Sequence, residues 1–217
     1  MMHETMDLEK RHAEAGSLVL LARHHFNALF IVVALSAAGA LSLYTFTTYM
    51  QKFLVNTSGF SIKTASSVMT FAMVIFMMVQ PVFGMLSDKI GRRPCLLIFT
   101  GLMTLTAVPL LNAIAVVKSP VTAFLLILTA LLILSFYMAI SGLFKAELFP
   151  PHVRALGVSL AHSVAAAIFG GSAEYIALWF KQIGQEPVFY WYVSAICGLA
   201  FFVVCRMKEP RRADMMS

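Results

Sequence analysis

The sequence predicts an all-α polytopic membrane protein with six transmembrane helices, and two observations support this fold class. The chain of 217 residues is 60% hydrophobic and only 12% charged, with a mean hydropathy of +0.85, whereas soluble domains carry about 25% charged residues. Its uncharged stretches, such as those from Lys63 to Asp88 and from Arg93 to Lys118, exceed the ~20 apolar residues that a helix needs to cross a bilayer. A soluble enzyme or binding domain is therefore excluded.

The uncharged windows place the six spans in order along the chain. A polar, charged lead-in occupies residues 1–26 and a basic tail occupies residues 207–217, so that the six-helix bundle covers residues 27–206. The lead-in lacks the features of a cleaved signal peptide. The predicted helices cover residues 28–51, 64–86, 94–115, 121–145, 156–180 and 187–206.

The basic residues predict the orientation of these helices. Four lysines lie in the segments predicted to face outward: Lys52, Lys63, Lys118 and Lys181. Twelve basic residues lie in the alternate segments: Lys10, Arg11, Arg23, Lys89, Arg92, Arg93, Lys145, Arg154, Arg206, Lys208, Arg211 and Arg212. Because segments rich in Lys and Arg stay on the cytoplasmic side, both termini are predicted to be cytoplasmic. This alternation accounts for the net charge of +6 without nucleic acid as a partner.

A charged, glycine-bearing segment, Gly84 to Pro94, lies between the second and third predicted helices. Gly84 lets a neighbouring helix approach closely, as small residues do in membrane packing, and Gly91 can reverse the chain with a positive φ. Asp88 precedes Arg92 by four residues and can pair with it. The segment is therefore predicted to form a tight cytoplasmic hairpin.

The fourth helix carries a polar stripe that leads to a second charged hairpin. Tyr137, Ser141 and Lys145 repeat at a spacing of four residues and so share one face. Lys145 either attracts an anion or lies at the surface, where it snorkels or pairs with Glu147. On the surface interpretation, no basic residue is expected at mid-membrane.

A second polar stripe marks the first helix. Tyr44, Thr48 and Gln51 are spaced to share one face. Such a stripe suits hydrogen bonds to a polar solute in a cavity. The alternative is that these residues bind neighbouring helices or form an interfacial aromatic belt.

The fifth helix contains a carboxylate, Glu174, inside an otherwise apolar span. An intramembrane carboxylate is costly unless it meets a partner or water, so Glu174 is a candidate for proton coupling. The alternative is an outer-interface residue that pairs with Lys181. His162 lies on the same helix and is interpreted as a histidine of the core or of the cytoplasmic side.

The segment GMLSDKIGRRP resembles the signature loop of the major facilitator superfamily, which joins the second and third helices of each six-helix half. In that family the acidic and basic residues of the loop latch the cytoplasmic gate. The resemblance implies that the gate includes Gly84, Asp88, Gly91, Arg92 and Arg93.

The second hairpin resembles a loop of the ProP-type and sugar-porter branches, with matches at Glu147, Pro150, Arg154 and Gly157. That likeness implies that Glu147 and Arg154 join the same cytoplasmic salt-bridge network. From about residue 13 to about residue 206, the chain resembles the C-terminal half of the α-ketoglutarate permeases, in the metabolite:proton symporter branch.

This resemblance implies one half of a major facilitator fold. The implied function is proton-coupled uptake of a dicarboxylate such as α-ketoglutarate, by alternating access across the bacterial inner membrane, with no cofactor and no enzymatic activity. Members have twelve helices, so the implied partner is a missing N-terminal six-helix half or a second copy, and the main anion-binding residue is expected there. The implied cavity residues are Tyr44, Thr48, Gln51, Tyr137 and Ser141.

Two other interpretations stay open at the level of sequence. The chain is then a non-transporting remnant of such a permease, or, more remotely, an intramembrane serine protease that uses Ser141 and His162. The stretch around Ser141 lacks the first glycine of the usual GxSG pattern. The three cysteines, Cys95, Cys197 and Cys205, form neither a metal-ligand pattern nor an even set of disulfides and are expected to be small core residues.

Overall fold

The computed structural model describes residues 26–151 and 153–207, and this part of the chain forms six long helices. They are α1 (Phe26–Asn56), α2 (Ile62–Ile90), α3 (Arg92–Val116), α4 (Pro120–Glu147), α5 (Arg154–Gln182) and α6 (Glu186–Arg206). Each is long and apolar enough to cross a membrane, so the six predicted spans are confirmed. Apart from Phe26 and Met207, the predicted lead-in and tail lie outside the described residues.

Two helices begin at side-chain caps that are visible in the sequence. The hydroxyl of Ser61 accepts a hydrogen bond from the backbone N–H of Thr64, and the hydroxyl of Ser119 accepts one from Thr122. Each serine satisfies a donor that the first turn of a helix leaves unpaired. Pro120 follows its cap at the first helical position, where its missing N–H costs nothing.

Three of the helices contain a local irregularity. A π-helical segment occupies Thr45–Tyr49 in α1, and another occupies Ala166–Gly171 in α5. In α4 the regular helix is interrupted between Met138 and Ser141. Each irregularity changes the direction in which the following side chains point, and π-helical turns occur often at functional sites.

The helices pack in a fixed order. α3 packs against both α6 and α4, α4 also packs against α2, and α1 packs against α5 and α6. Aromatic rings fill the contact between α1 and α6, where Tyr49 meets Phe189 edge to face at 5.7 Å between ring centroids and Phe53 meets Tyr190 at 6.0 Å. Aromatic pairs of this geometry contribute about 0.5–1.5 kcal/mol beyond their buried area.

The helices α2 and α5 are the least buried, and the surface that they leave uncovered is called the open side. Only 17% of the most apolar stretch of α2 is buried and 22% of that of α5, compared with 50% for both α1 and α4. Large apolar side chains of α2, including Phe71, Met78 and Met85, are exposed. Within the described residues, the bundle therefore leaves these two helices without protein cover on much of their surface.

The hairpin predicted over Gly84 to Pro94 is mostly helical in the structure. α2 continues through Asp88 and ends at Ile90, and α3 begins at Arg92, so Gly91 alone forms the turn. Its φ of 96° and ψ of 162° confirm the expected positive φ. Asp88 at the end of α2 and Arg92 at the start of α3 form an ion pair across this turn.

One smaller expectation is not met by the helices of this chain, and another is wrong for one cysteine. A Cβ placed at Gly84 would meet no heavy atom within 4 Å, so no described helix approaches this glycine. Cys95 and Cys197 are buried as predicted, but Cys205 is exposed because it lies near the last turn of α6, on a side that no described helix covers.

Candidate functional site

Arg92 is the centre of a charged cluster at one end of the bundle. Its Nη1 donates to Oδ1 of Asp88 at 2.8 Å and to Oγ of Ser87 at 2.9 Å. Its Nε lies 3.7 Å from Oε1 of Glu147, at the end of α4. The expected contact between Asp88 and Arg92 is therefore present, and Arg92 also joins the α2–α3 turn to α4.

The members of this cluster differ in exposure. The side chains of Arg92 and Glu147 are 18% and 16% exposed, whereas that of Asp88 is 62% exposed. The pair between Arg92 and Glu147 is thus partly shielded from solvent, which strengthens a charge interaction relative to one in water. Asp88 keeps most of its surface free for a further contact.

Arg93 contacts a different helix. Its Nη2 donates to the carbonyl oxygen of Cys205 at 2.9 Å, and its Nε donates to that of Val204 at 3.4 Å. The last carbonyls of a helix lack intrahelical partners, so Arg93 caps the C-terminus of α6. The two neighbouring arginines therefore connect the α2–α3 turn to two different helices, Arg92 to α4 and Arg93 to α6.

The loop after α4 is folded upon itself. Nε of Arg154 donates to the carbonyl oxygen of Phe149 at 3.2 Å, and within the described ranges Arg154 forms no ion pair. The Phe149 ring is buried against Gly157, where a Cβ would lie 2.7 Å from the ring. The loop thus positions Glu147 beside Arg92, while the expected entry of Arg154 into the salt-bridge network is not observed.

The stripe on α1 faces the open side. Tyr44, Thr48 and Gln51 are all exposed, Tyr44 by 38%. The Tyr44 ring packs against Gly170 of α5, and Nε2 of Gln51 donates to Oγ of Ser66 in α2 at 2.7 Å. Two of the three residues therefore contact a neighbouring helix, and all three keep the exposure that a cavity lining requires.

Tyr137 does not lie on the open side. It is 2% exposed, its ring stacks on Phe99 at 5.0 Å between centroids, and a Cβ on Gly39 would lie 2.0 Å from the ring. Its position in the core contradicts the prediction that it lines a cavity. The ring fits there because Gly39 has no side chain and leaves room for it. Ser141, four residues on, is half-buried.

Glu174 forms an ion pair with Lys52 of α1, with 30% and 54% of the two side chains exposed. The alternative partner, Lys181, instead has its Nζ 3.8 Å from Oε1 of Glu186 and donates to Oγ1 of Thr57. Glu174 therefore pairs with a lysine, as the alternative expected, but this lysine is Lys52 of α1 and not Lys181.

Sequence reasoning missed the contacts that Lys145 forms inside the bundle. This lysine is only 3% exposed, and its Nζ lies 3.0 Å from Nδ1 of His162 and 5.4 Å from the centroid of the Tyr137 ring. Nδ1 of His162 also lies 3.4 Å from Oγ of Ser36 in α1. Of the two interpretations of Lys145, the one that places its side chain at the surface is wrong. Side chains lean toward the N-terminus of their helix, and for α4 that direction leads into the bundle.

A bundle of six apolar helices with an open side and a charged cluster at the end of that bundle is the architecture of one half of a membrane transporter. The family described as sugar (and other) transporter matches residues 1–213. The chain belongs to this family, within the major facilitator superfamily.

Relatives agree with this assignment. The chain is 53% identical to an α-ketoglutarate permease of Escherichia coli over 203 residues, which are 93% of this chain and 47% of the permease. It is 38% identical to a citrate-proton symporter of Klebsiella pneumoniae over 55% of this chain and 28% of the symporter. The matched region covers less than half the length of each of these two relatives. No solved structure matches it.

The remote alternative of a serine protease has no support. The family and the relatives are transporters, not enzymes. Ser141 forms no hydrogen bond to His162 in the described part of the chain, and Nδ1 of His162 is engaged by Lys145 instead.

Proposed function

We propose that the chain is the C-terminal six-helix half of a proton-coupled transporter that takes up a dicarboxylate such as α-ketoglutarate by alternating access. The location is the bacterial inner membrane, with both termini cytoplasmic. The observation that supports this most strongly is the cluster at Arg92, in a chain 53% identical to an α-ketoglutarate permease. Its substrates are an organic acid and protons.

The partner in this proposal is a second six-helix unit, either a separate N-terminal half or a second copy of the chain. Gly84 has open space around its backbone, and Asp88, one helical turn further, is 62% exposed. A second unit that packs on Gly84 would bring its own charged residues to Asp88. We call the charged residues that would join the two units at this end the latch. Within this chain Arg92 and Glu147 form its ion pair, and Gly91, Arg93 and Arg154 hold the surrounding turns in place.

The substrate cavity lies on the open side between the two units. Tyr44, Thr48 and Gln51 supply hydrogen-bonding groups there from α1, and Ser141 supplies a hydroxyl from α4. When the latch closes the cytoplasmic end, the cavity opens outward, and release of the latch exposes it to the cytoplasm. The substrate shifts the equilibrium between the outward-open and inward-open states by the difference in its affinity for them.

Glu174 is the proton-coupling candidate of this proposal, with Lys52 as its partner. A proton taken up by the Glu174 carboxylate removes its negative charge, so the attraction to Lys52 is lost. Because the two residues join α5 to α1, loss of the ion pair frees these helices to move relative to each other at the outer end.

The test is uptake by a split transporter. The chain is co-expressed with the N-terminal half of the Escherichia coli permease in cells without that permease, and accumulation of radiolabelled α-ketoglutarate is measured with and without a protonophore. We expect accumulation that needs both polypeptides and that the protonophore abolishes. Accumulation by the monomeric chain alone contradicts the two-unit proposal. No uptake with either partner unit, although the chain is inserted and folded, favours the non-transporting remnant.

A further inference from the structure

Lys145 places an ammonium group inside the bundle without a counter-charge among the described residues. The four described carboxylates are all engaged elsewhere: Asp88 and Glu147 with Arg92, Glu174 with Lys52, and Glu186 with Lys181. Lys145 is also the one charged side chain that is buried within the described ranges, at 3% exposure. Burial of an unpaired charge is costly, and charged groups within the membrane commonly mark substrate pathways.

The ammonium lies inside the bundle, near the end of α4. Its contacts are Nδ1 of His162 at 3.0 Å and, beneath it, the Tyr137 ring. His162 follows Arg154, the first residue of α5, by eight positions, which corresponds to about 12 Å along the helix. Ser36 follows Phe26 in α1 by ten positions, or about 15 Å. Lys145 precedes Glu147 by only two positions, but its Nζ contacts His162 and Tyr137, whereas Glu147 contacts Arg92.

His162 connects this buried charge to the open side. An ammonium group can only donate hydrogen bonds, so its contact requires Nδ1 of His162 as the acceptor. The neutral ring then carries its hydrogen on Nε2. His162 itself is exposed, and its Nε2 forms no hydrogen bond within the described residues. The Nε2–H group is therefore available as a donor, while Lys145 lies at the other ring nitrogen.

We propose that Lys145 and His162 form a binding subsite for one carboxylate of the transported ligand. The carboxylate accepts a hydrogen bond from Nε2 of His162, and the Lys145 ammonium supplies the counter-charge through the ring. Charge-assisted hydrogen bonds of this kind are stronger than neutral ones. The identity of the ligand as a dicarboxylate rests on the proposed function. The subsite itself rests on the contacts within this chain, and it places a basic group where the sequence predicted none.

Binding is measured on the chain itself, purified in lipid nanodiscs, because both residues belong to it. Thermal unfolding is followed with increasing α-ketoglutarate, with its dimethyl ester, which lacks both charges, and with inorganic phosphate. We expect α-ketoglutarate alone to raise the unfolding midpoint. A comparable shift with phosphate identifies a general anion site and overturns the assignment to a carboxylate.

Three variants localise the effect. Lys145→Met should weaken binding of α-ketoglutarate by about tenfold or more, since the bound carboxylate loses its counter-charge. Without ligand the same variant should unfold at a higher temperature, because the unpaired buried charge is gone. Lys145→Arg should retain part of the affinity. The control, Lys89→Met, removes an exposed lysine from the same end of the bundle and should bind like the unmodified chain.

Two binding results would overturn the subsite: an unmodified chain that does not bind α-ketoglutarate, or a Lys145→Met variant that binds it as tightly as the unmodified chain. Neither result depends on uptake by the split transporter. Binding without any uptake would instead contradict the proposed transport function and leave the subsite in place.

Discussion

The guanidinium group of Arg92 lies 3.7 Å from the carboxylate of Glu147, measured from Nε to Oε1. This contact joins residues that are 55 positions apart, on the α2–α3 turn and at the end of α4. The two side chains are only 18% and 16% exposed, so their interaction is less screened than that of a surface pair. Arg92 also holds Asp88, which makes it the common member of both ion pairs at this end.

The coupling between Arg92 and Glu147 is measurable by a double-mutant cycle. Arg92→Gln and Glu147→Gln, alone and together, should show a coupling of about 0.5–1 kcal/mol in the free energy of unfolding of the purified chain. The matched control pairs Arg154→Gln with Glu147→Gln, which should show almost no coupling because Arg154 bonds the Phe149 carbonyl instead. Equal coupling in the two cycles would disprove the specific contact.

Gly91 should be the glycine of the α2–α3 region that tolerates substitution least. Its φ of 96° and ψ of 162° lie where almost only glycine is found, and a side chain there costs about 1–3 kcal/mol. Gly91→Ala should therefore lower the free energy of unfolding by that amount.

Gly84→Ala is the comparison for Gly91→Ala. Gly84 lies inside α2 with open space around it, and alanine in a helix is about 0.5–1 kcal/mol more favourable than glycine. The isolated chain should be unaffected or stabilised, while uptake with the N-terminal half should fall if Gly84 forms the contact between the units. If Gly84→Ala leaves uptake intact, the second unit packs elsewhere.

The contact between Gly39 and Tyr137 predicts a large effect of one added methyl group. Gly39→Ala places a Cβ 2.0 Å from the Tyr137 ring, and such overpacking of a core typically costs about 1–3 kcal/mol. Thermal unfolding should show a clearly lowered midpoint. Gly142→Ala serves as the control, since no heavy atom lies within 4 Å of the added Cβ. Similar midpoints for the two variants would contradict the packing of α1 on α4.

Glu174 should affect coupling rather than stability. Both it and Lys52 are partly exposed, and pairs of this kind contribute at most about 1 kcal/mol. In the split transporter, Glu174→Gln should preserve exchange of α-ketoglutarate across the membrane but abolish its accumulation against a gradient. Lys52→Met leaves the carboxylate but removes the ion pair that protonation is proposed to break, so accumulation should fall in this variant as well. Accumulation by Glu174→Gln at the unmodified level would exclude Glu174 as the proton carrier.

Much of the fold could be predicted from the sequence because hydropathy and helix caps are local properties. The six uncharged windows marked the six helices, and the glycine at position 91 marked the turn between α2 and α3. The helix ends were less predictable. The charged residues Asp88 and Arg92 were expected in a loop, whereas in the structure Asp88 belongs to the end of α2 and Arg92 to the start of α3, and the two pair across Gly91.

The candidate site was less predictable, because spacing along one helix does not show which helix lies opposite. Tyr137 and Lys145 were correctly placed on a common face of α4, but that face is buried against α1 and α5. The partner of Glu174 was sought seven residues away on the same helix, whereas the structure supplies Lys52 from α1.

The sequence by itself determined the number, order and boundaries of the spans to within a few residues, since the free energy of placing apolar residues in a bilayer depends on local composition. Only the tertiary structure decided which charges meet. Ion pairing depends on distances of a few ångströms between separate helices, and packing alone brings Glu147 to Arg92 and leaves Lys145 beside His162.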